Sequence, residues 1–285
     1  MNLAPLGSAV YLGYLCTWFF NTNMLDHSAN TETVPIRKTI YFVSDVHLGV
    51  PSKKHSAKER EAIFLNWLES IKETAHSLYI LGDLLDFWFE YKRVVPKGFV
   101  RTFAKLAELA ESGIEINFFS GNHDMWLRDY FQKELGINVY HGLKTVNIMG
   151  KIFFLGHGDE LDFNDTGYLL LRKVLFTSRI ARFLFRWLHP DLGMYLGHAW
   201  SNRKPSGFKP IWEFRGVKKE GIYISAEKEL AKMHIDYFIF GHRHVKLQQT
   251  MSNNCSQFII LGEWVQTFCY GEFDGFTFNL NSFAE

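Results

Sequence analysis

Five short polar clusters recur along this chain of 285 residues, each directly after or within two residues of an apolar run. The clusters are Asp45–His47, Gly82–Asp86, Gly121–Asp124, Gly156–Asp159 and Gly241–His244. Short apolar runs bounded by turn residues are typical of buried strands. In open α/β sheets, ligands bind at the carboxyl ends of the strands. The pattern therefore predicts an α/β fold whose strand ends bring carboxylate, amide and imidazole groups to one shared site.

The apolar runs and the segments between them predict alternating strands and helices. The predicted strands are Thr39–Val43, Leu78–Leu81, Ile114–Phe119, Ile152–Leu155, Asp236–Phe240, Gln257–Leu261 and Phe276–Leu280. In Glu59–Lys72 and Phe99–Ala110 the apolar residues recur at helical spacing. This alternation predicts a largely parallel sheet with helices on both faces.

Residues 1–36 precede the first predicted strand and are expected to lie outside the main domain. Leu3–Phe20 is uncharged and about long enough to span a bilayer, but its Gly and Pro residues disfavour a transmembrane helix. Two interpretations stay open: a loose hydrophobic extension, or residues upstream of a true start at Met24. We expect residues 37–285 to form one domain, interrupted by an insertion at about residues 160–220.

The charged residues nearly balance, with 31 Lys and Arg against 30 Asp and Glu. A formal net charge of +1 gives no global attraction to nucleic acid, so we expect no nucleic-acid partner, and no obligate protein partner is evident. The three cysteines have no CxxC spacing. This argues against a disulfide framework or a zinc ribbon and favours a reducing compartment.

The insertion is both basic and apolar. From Arg172 to Lys219 there are eleven Lys or Arg residues against two acids. If Tyr168–Leu188 is one helix, four of its arginines, Arg172, Arg179, Arg182 and Arg186, fall within an arc of about 80°. One interpretation is a two-helix cap with solvated cations. The other, favoured by the many large apolar residues, is a cap that touches acyl chains and anionic head groups as a peripheral membrane element.

The polar clusters contain the ligands that divalent metals prefer. Two ions about 3.5–4 Å apart need a bridging carboxylate, and Asp83 is the predicted bridge because Gly82 lets the backbone turn tightly before it. The first ion is predicted to bind Asp45, His47, Asp83 and His244. The second is predicted to bind Asp83, Asn122, His157 and His242. Such a centre supplies hydroxide near neutral pH, which predicts hydrolysis of a phosphate ester or anhydride.

Three further residues of the clusters have predicted roles. His123 is predicted to stabilise the phosphoryl oxygens or to protonate the leaving group. Asp86 and Asp124 are predicted to orient the histidines by accepting hydrogen bonds. The remaining histidines show no partner spacing and are predicted to be structural: His55, His76, His141, His189, His198 and His234.

The order DxH, GDxxD, GNHD, GHGD and GHRH resembles the calcineurin-like metallophosphoesterase superfamily over residues 39–280. The resemblance implies a four-layer αββα sandwich with two mixed sheets, here with a helical cap insertion. The ligand roles given above match the superfamily pattern.

Part of the chain resembles one enzyme family within this group more closely, the UDP-2,3-diacylglucosamine pyrophosphohydrolases. The similar segments are Tyr41–Leu48, Gly82–Trp88, His157–Asp159 with the insertion after it, and Leu261–Trp264. The resemblance implies cleavage of UDP-2,3-diacylglucosamine to UMP and 2,3-diacylglucosamine 1-phosphate, known as lipid X, with two Mn²⁺. It also implies a step of lipid A synthesis at the cytoplasmic face of the bacterial inner membrane.

The same resemblance implies that the insertion is a lid for acyl chains, with segment 160–210 against the membrane surface. Ser201 and Lys204 are predicted to contact the sugar and phosphates, together with Asn122, His123 and His242. One position departs from the pattern, because the best-known branch has Gly-Asn-Arg-Asp where this chain has His123. The His form is shared with phosphoesterases that act on other substrates.

Two alternatives stay open. A general two-metal phosphodiesterase or phosphatase would have the same ligands with a cap that is polar inside. A non-catalytic membrane scaffold would have no need of an intact ligand set, and the intact set of this chain argues against it.

Overall fold

The computed structural model describes residues 38–162, 167, 170, 172–201, 214 and 216–283. Within these residues, eleven strands form two mixed sheets. The first sheet contains, in order, β11 (Phe278–Ser282), β10 (Cys269–Phe273), β1 (Thr39–Val43), β2 (Ala75–Leu81), β3 (Glu115–Phe119) and β4 (Asn138–Tyr140). The second contains β5 (Lys144–Ile148), β6 (Lys151–Leu155), β7 (Tyr237–Phe240), β9 (Gln257–Leu261) and β8 (Lys246–Thr250).

Helices separate several of these strands along the chain. They are α1 (Ala57–Ile71), α2 (Val100–Glu111), α3 (Tyr130–Leu135), α4 (Arg179–Arg186), α5 (Pro190–Ser201) and α6 (Gly221–Leu230). Helix α1 begins at a capping box, in which the Ser56 side chain accepts from the Glu59 N–H and the Glu59 carboxylate accepts from the Ser56 N–H.

Two layers of side chains explain why both faces of the first sheet are apolar. Alternate residues of a strand point to opposite faces, so Tyr41 and Val43 pack with the core under α1, α2 and α3. Ile40 and Phe42 pack between the two sheets with residues of β6, β7 and β9. A third core joins the second sheet to α6. The result is a four-layer αββα sandwich.

The expectation of a single, largely parallel sheet is therefore wrong, and the two mixed sheets implied by the resemblance are confirmed. A strand buried on both faces has the same continuous apolar sequence whether a helix or a second sheet covers it. Strands β4, β5, β8 and β10 were not predicted. Strand β8 alternates exposed and half-buried residues, and β4 has only three residues, so neither has a long apolar run.

The insertion is not one continuous helix between Tyr168 and Leu188. A π-helical turn at Arg172–Phe176 ends before Ser178, whose side chain caps α4 by accepting from the Ala181 N–H. Arg172 consequently lies apart from the α4 arginines and binds Asp159 and Glu160, each at 2.9 Å. The expected four-arginine arc is wrong for this reason.

Other expectations concern residues outside the described ranges. The N-terminal extension, residues 1–36, and Lys204 lie outside them, so their predicted roles stay predictions. No helix of the described residues has the length and apolar character needed to cross a bilayer.

Candidate metal centre

Each predicted ligand lies in a loop that follows a strand, and the loops meet at one edge of the sandwich. Asp45 and His47 follow β1, Asp83 follows β2, and Asn122 follows β3. From the second sheet, β6 leads to His157 and β7 leads to His242 and His244. The structure therefore brings together the seven predicted ligands, which span almost 200 residues of the chain.

The first predicted ion has a compact ligand group. Possible ligand atoms of Asp45, His47 and His244 lie within 4.8 Å of one another. His244 Nε2 is 3.1 Å from Asp45 Oδ1 and 3.3 Å from His47 Nε2. Asp83 Oδ2 lies 3.8 Å from His47 Nε2. Four donor atoms from three loops thus face a common point.

The second predicted ligand group shares Asp83 with the first. Asp83 Oδ2 is 3.2 Å from His157 Nε2. Asn122 Oδ1 lies 3.0 Å from His157 Nε2 and 3.1 Å from His242 Nδ1. His157 Nδ1 is 2.9 Å from the Leu81 carbonyl, to which it can donate, and this contact leaves Nε2 free as a ligand. One Asp83 oxygen lies between the two groups, as a bridge requires.

The donor set fits a cation better than it fits internal hydrogen bonding. Asp45 Oδ1 is buried and has no hydrogen bond within the described residues, although His244 Nε2 is close. An unsatisfied buried carboxylate oxygen is costly in a protein interior. A divalent ion held by Asp45, His47 and His244 would supply the missing partner.

The backbone is strained where the ligands are attached. Five of the predicted ligands have positive φ angles: Asp45 (54°), His47 (46°), Asp83 (52°), His242 (67°) and His244 (51°). This left-handed region costs a non-glycine residue about 1 kcal/mol or more. Such strain persists only where the surrounding structure imposes it, and it clusters at functional sites.

Two glycines of the motifs allow loops to approach the carboxylates. A Cβ at Gly121 would lie 2.2 Å from Asp83 Oδ1, and one at Gly241 would lie 2.4 Å from Asp45 Oδ2. The His123 N–H donates to Asp83 and the His242 N–H donates to Asp45, at 2.9 and 3.0 Å. The glycines are thus needed for these backbone N–H groups to orient the carboxylates.

The ionisable ligands of the centre have shifted pKa values. Burial alone raises the pKa of Asp45, but His244 and His47 outweigh it and hold that pKa well below its usual value. Burial lowers the pKa of His157, but Asp83 outweighs it and raises that pKa well above its usual value. Burial and the adjacent His157 lower the pKa of His242 to about 4. The Asp45 carboxylate is thus ionised and His242 is neutral at pH 7, whereas His157 carries a proton that it would have to lose on binding a metal.

His123 lies beside the centre with one ring nitrogen directed toward it. Its Nδ1 is 2.5 Å from the Asp86 carbonyl and its Nε2 is 3.9 Å from Asp83 Oδ2. If Nδ1 donates to this carbonyl, only the imidazolium form carries a second proton on Nε2, and in that form Nε2–H can donate to a bound phosphate. This position fits the predicted role.

Asp86 connects the centre to the insertion instead of contacting a predicted ligand histidine. Its carboxylate lies 2.9 Å from His198 Nδ1 and accepts a 2.5 Å hydrogen bond from Ser201 Oγ. Burial raises the pKa of Asp86, but His198 and Ser201 outweigh it and lower that pKa. His198, which is predicted to be structural, thus has a carboxylate partner in Asp86. No local spacing indicates this contact, because 112 positions separate the two residues.

Asp124 accepts hydrogen bonds from backbone N–H groups instead of from histidine side chains. Its carboxylate accepts from the N–H groups of Asp83, Leu84 and Gly121, at 3.3, 2.8 and 2.7 Å. Burial and the charge of Asp83 raise the pKa of Asp124 to about 7. Asp124 therefore fixes two ligand loops to each other.

An apolar cavity of about 190 Å³ opens beside His123. Asn122 and His123 form its polar end. Its walls include Phe87, Trp126, Phe176, Phe185, Leu196 and Trp200. We call it the apolar cavity. Because α4 and α5 supply several of these walls, the insertion and the centre share one site.

Comparisons with known proteins agree with this geometry. A model of the calcineurin-like phosphoesterase family matches residues 38–246. A UDP-2,3-diacylglucosamine hydrolase of Porphyromonas gingivalis is 37% identical over 266 residues, covering 88% of this chain and 99% of that protein. Proteins of the same name from Histophilus somni and Vibrio atlanticus are 28% and 25% identical, covering 81% and 79% of this chain and 94% and 88% of theirs.

Proposed function

The chain belongs to the calcineurin-like phosphoesterase family, and we propose that it hydrolyses UDP-2,3-diacylglucosamine to UMP and 2,3-diacylglucosamine 1-phosphate, a step of lipid A biosynthesis. It is a metal-dependent hydrolase. The apolar cavity is the observation that best supports a lipid substrate, because its polar end is formed by Asn122 and His123 of the metal centre. A substrate whose pyrophosphate lies at the centre would place an acyl chain there.

The chain's own residues have distinct roles in this reaction. When bound, two divalent ions supply hydroxide near neutral pH and stabilise charge on the phosphoryl group. The Asp83 carboxylate lies next to a histidine of each ligand group, His47 and His157, and so connects the two groups. His123 Nε2 donates to a phosphoryl oxygen or protonates the leaving oxygen. Water oxygen bonds to phosphorus as the pyrophosphate P–O bond breaks.

The insertion supports the substrate assignment by its contacts. Ser201 lies at the polar side of the site, within 3.2 Å of His123 Nδ1, and a substrate contact there is part of the proposal. Lys204, Asn122 and His242 complete the proposed substrate contacts. Mn²⁺ is the proposed metal, with two ions per chain, since the carboxylate and amide oxygens of Asp45, Asp83 and Asn122 suit it.

The proposed location is the cytoplasmic face of the bacterial inner membrane, as a peripheral protein. A diacylated substrate resides in a bilayer, so the enzyme must reach a membrane surface. Several large apolar residues in α4, directly after it and in α5 are exposed, among them Ile180, Trp187 and Tyr195, which supports contact with lipid.

Single-turnover hydrolysis of UDP-2,3-diacylglucosamine with Mn²⁺ tests the proposal. We expect the wild type to release UMP. The rate of UMP release should fall by about a hundredfold to a thousandfold in Asp83→Ala. Glu73→Ala, which removes an exposed carboxylate, is the matched control and should keep full activity. Hydrolysis of a chromogenic phosphodiester without any release of UMP from the lipid would overturn the substrate assignment and leave the hydrolase in place.

A further inference from the structure

A second cavity lies along α4, and its lining is strongly basic. It measures about 350 Å³, which is within the range of ligand sites. Four arginines line it: Arg128, Arg179, Arg182 and Arg186. We call it the arginine cavity. Trp126 lines both this cavity and the apolar cavity, so the two are neighbours.

Helix α4 has different residues toward the two cavities. Ala181 and Phe185 line the apolar cavity. Three arginines at positions 179, 182 and 186 recur at helical spacing and line the arginine cavity. The apolar side chains and the arginines of α4 therefore line two different, adjacent cavities.

The cations of the arginine cavity have no ion-pair partner in the part of the chain that the structure describes. Within the described ranges, none of the four guanidinium groups forms an ion pair, and Arg186 Nε is buried without a hydrogen bond. Glu90 also lines the cavity, but its carboxylate accepts from the N–H groups of Arg128, Asp129 and Tyr130, at 2.6, 2.9 and 3.0 Å. These hydrogen bonds engage both carboxylate oxygens of Glu90 with backbone, and none comes from a guanidinium group. Clustered cations and an unsatisfied buried donor call for an anion.

The chemistry of the lining selects the kind of anion. Guanidinium groups are planar and bind phosphate oxygens in pairs. Three aromatic side chains, Phe89, Trp126 and Phe183, supply apolar surface to the lining of the cavity. A phosphate group with an attached organic part fits both features.

The exposed side of α4 indicates where this phosphate comes from. Ile180, Leu184 and Trp187 are 73%, 61% and 77% exposed. Apolar side chains next to arginines on one helix are typical of elements that lie in the interface of a bilayer. We propose that the arginine cavity binds the head-group phosphate of an anionic phospholipid and so docks α4 on the membrane. This deepens the proposed function, since it names the contact that would bring the apolar cavity to a lipid substrate.

Vesicle binding tests the inference without any substrate. The probes are phosphatidylcholine vesicles with and without phosphatidylglycerol, added to the full chain and followed by co-sedimentation. Replacing all three α4 arginines by Gln should lower affinity for the anionic vesicles by roughly a hundredfold. The matched control, Lys53→Gln with Lys54→Gln and Lys58→Gln, removes three exposed cations elsewhere and should change affinity less than threefold.

Replacing the same three arginines by Lys separates a built cavity from general charge attraction. The Lys variant keeps the charge but loses paired guanidinium contacts, so we expect its affinity to fall at least about fivefold. Wild-type affinity in this variant, or an equal loss in the lysine control, would overturn the inference in favour of diffuse attraction.

Inorganic phosphate is the second probe, measured by calorimetry. Loss of phosphate binding in the Arg→Gln variant with unchanged vesicle binding would make free phosphate the ligand and overturn the membrane assignment. Because vesicle binding needs no catalysis, an Asp83→Ala protein should bind vesicles as the wild type does. A failure of the proposed reaction is therefore distinguishable from a failure of this inference.

Discussion

At the scale of single residues, Arg60 supports the metal centre from outside it. Its guanidinium is buried and donates to the carbonyls of Val46, His47, Val50 and Trp264. Burial lowers the pKa of Arg60 to about 10, although Glu263 opposes this shift. The side chain therefore stays charged at pH 7 and holds the loop after β1 in the shape that presents its ligands.

We expect Arg60→Met to destabilise the protein by about 3 kcal/mol or more, because it leaves buried carbonyls without donors. Metal affinity should fall by about tenfold to a hundredfold, as for other groups that orient ligands. Urea unfolding and Mn²⁺ titration measure the two effects. Arg101→Met, at an exposed position of α2, is the control. Equal stability of the two variants would contradict the role of Arg60.

The residue scale also shows what the sequence could reveal. Asp45, Asp83 and His157 were predicted as ligands because their chemistry and their place after apolar runs are visible in the sequence. The positive φ angles at Asp45 and Asp83 were not predicted, since these depend on hydrogen bonds between distant loops. The role of Arg60 was missed for the same reason, because it lies within an amphipathic helix pattern.

At the scale of elements, α5 (Pro190–Ser201) packs unusually closely against the loop after β2. A Cβ at Gly197 would lie 2.1 Å from the ring of Phe87, and one at Gly193 would lie 2.0 Å from Tyr91 Oη. Helix propensity alone disfavours glycine at both positions by about 1 kcal/mol. Close packing explains their presence, and it puts His198 and Ser201 in reach of Asp86.

Gly197→Ala should displace α5 even though it improves helix propensity. We expect kcat/KM for the lipid substrate to fall about tenfold or more, since a misplacement of about 1 Å can be this costly. Hydrolysis of a small chromogenic ester should change little. The control is Ala199→Gly, at an exposed position of the same helix, which lowers helix propensity without bringing any atom too close to the loop after β2. A larger loss in this control than in Gly197→Ala would contradict the packing argument.

Asp236 joins the starts of β6 and β7. Its carboxylate accepts from the Ile152 N–H at 2.8 Å and lies 3.5 Å from Lys151 Nζ. Burial raises the pKa of Asp236, but the Ile152 N–H and His234 outweigh it and lower that pKa. The pKa is thus lower in the folded than in the unfolded chain, so the ionised form adds stability that is complete above the unfolded pKa of about 3.9.

Asp236→Asn should therefore lower the free energy of unfolding by about 1 kcal/mol at pH 7. The difference from the wild type should shrink as the pH falls below about 4. Urea unfolding at pH 7, 5 and 3.5 measures it, with the exposed Glu73→Gln as the control. A difference that grows as the pH falls would contradict the sign of this linkage.

At the scale of the whole molecule, the insertion is tied to the core at both of its ends. Arg243 lies between two predicted ligands and binds Asp162 at the start of the insertion and Glu220 at its end, at 3.4 and 2.8 Å. Arg172 binds Asp159 in the loop that carries His157. The lid expected from the sequence and the centre thus share loops, which no pattern within either segment indicates.

The architecture was predicted only in part for a related reason. Strands such as β1 and β9 were found with their observed bounds because they are buried on both faces. Which layer covers each face depends on contacts between strands far apart in the sequence, so periodicity alone does not indicate the second sheet. The order of the motifs is a stronger signal, because it indicates a known architecture as a whole.

Hydrolysis of UDP-2,3-diacylglucosamine as a function of Mn²⁺ equivalents tests the central claim most directly. Chelator-treated protein should be inactive, activity should reach its plateau at about two equivalents per chain, and Asp83→Ala should stay inactive at any ratio. The product should be UMP throughout. Full activity in metal-free protein, or a plateau at one equivalent with Asp83→Ala still active, would contradict a two-metal centre bridged by Asp83.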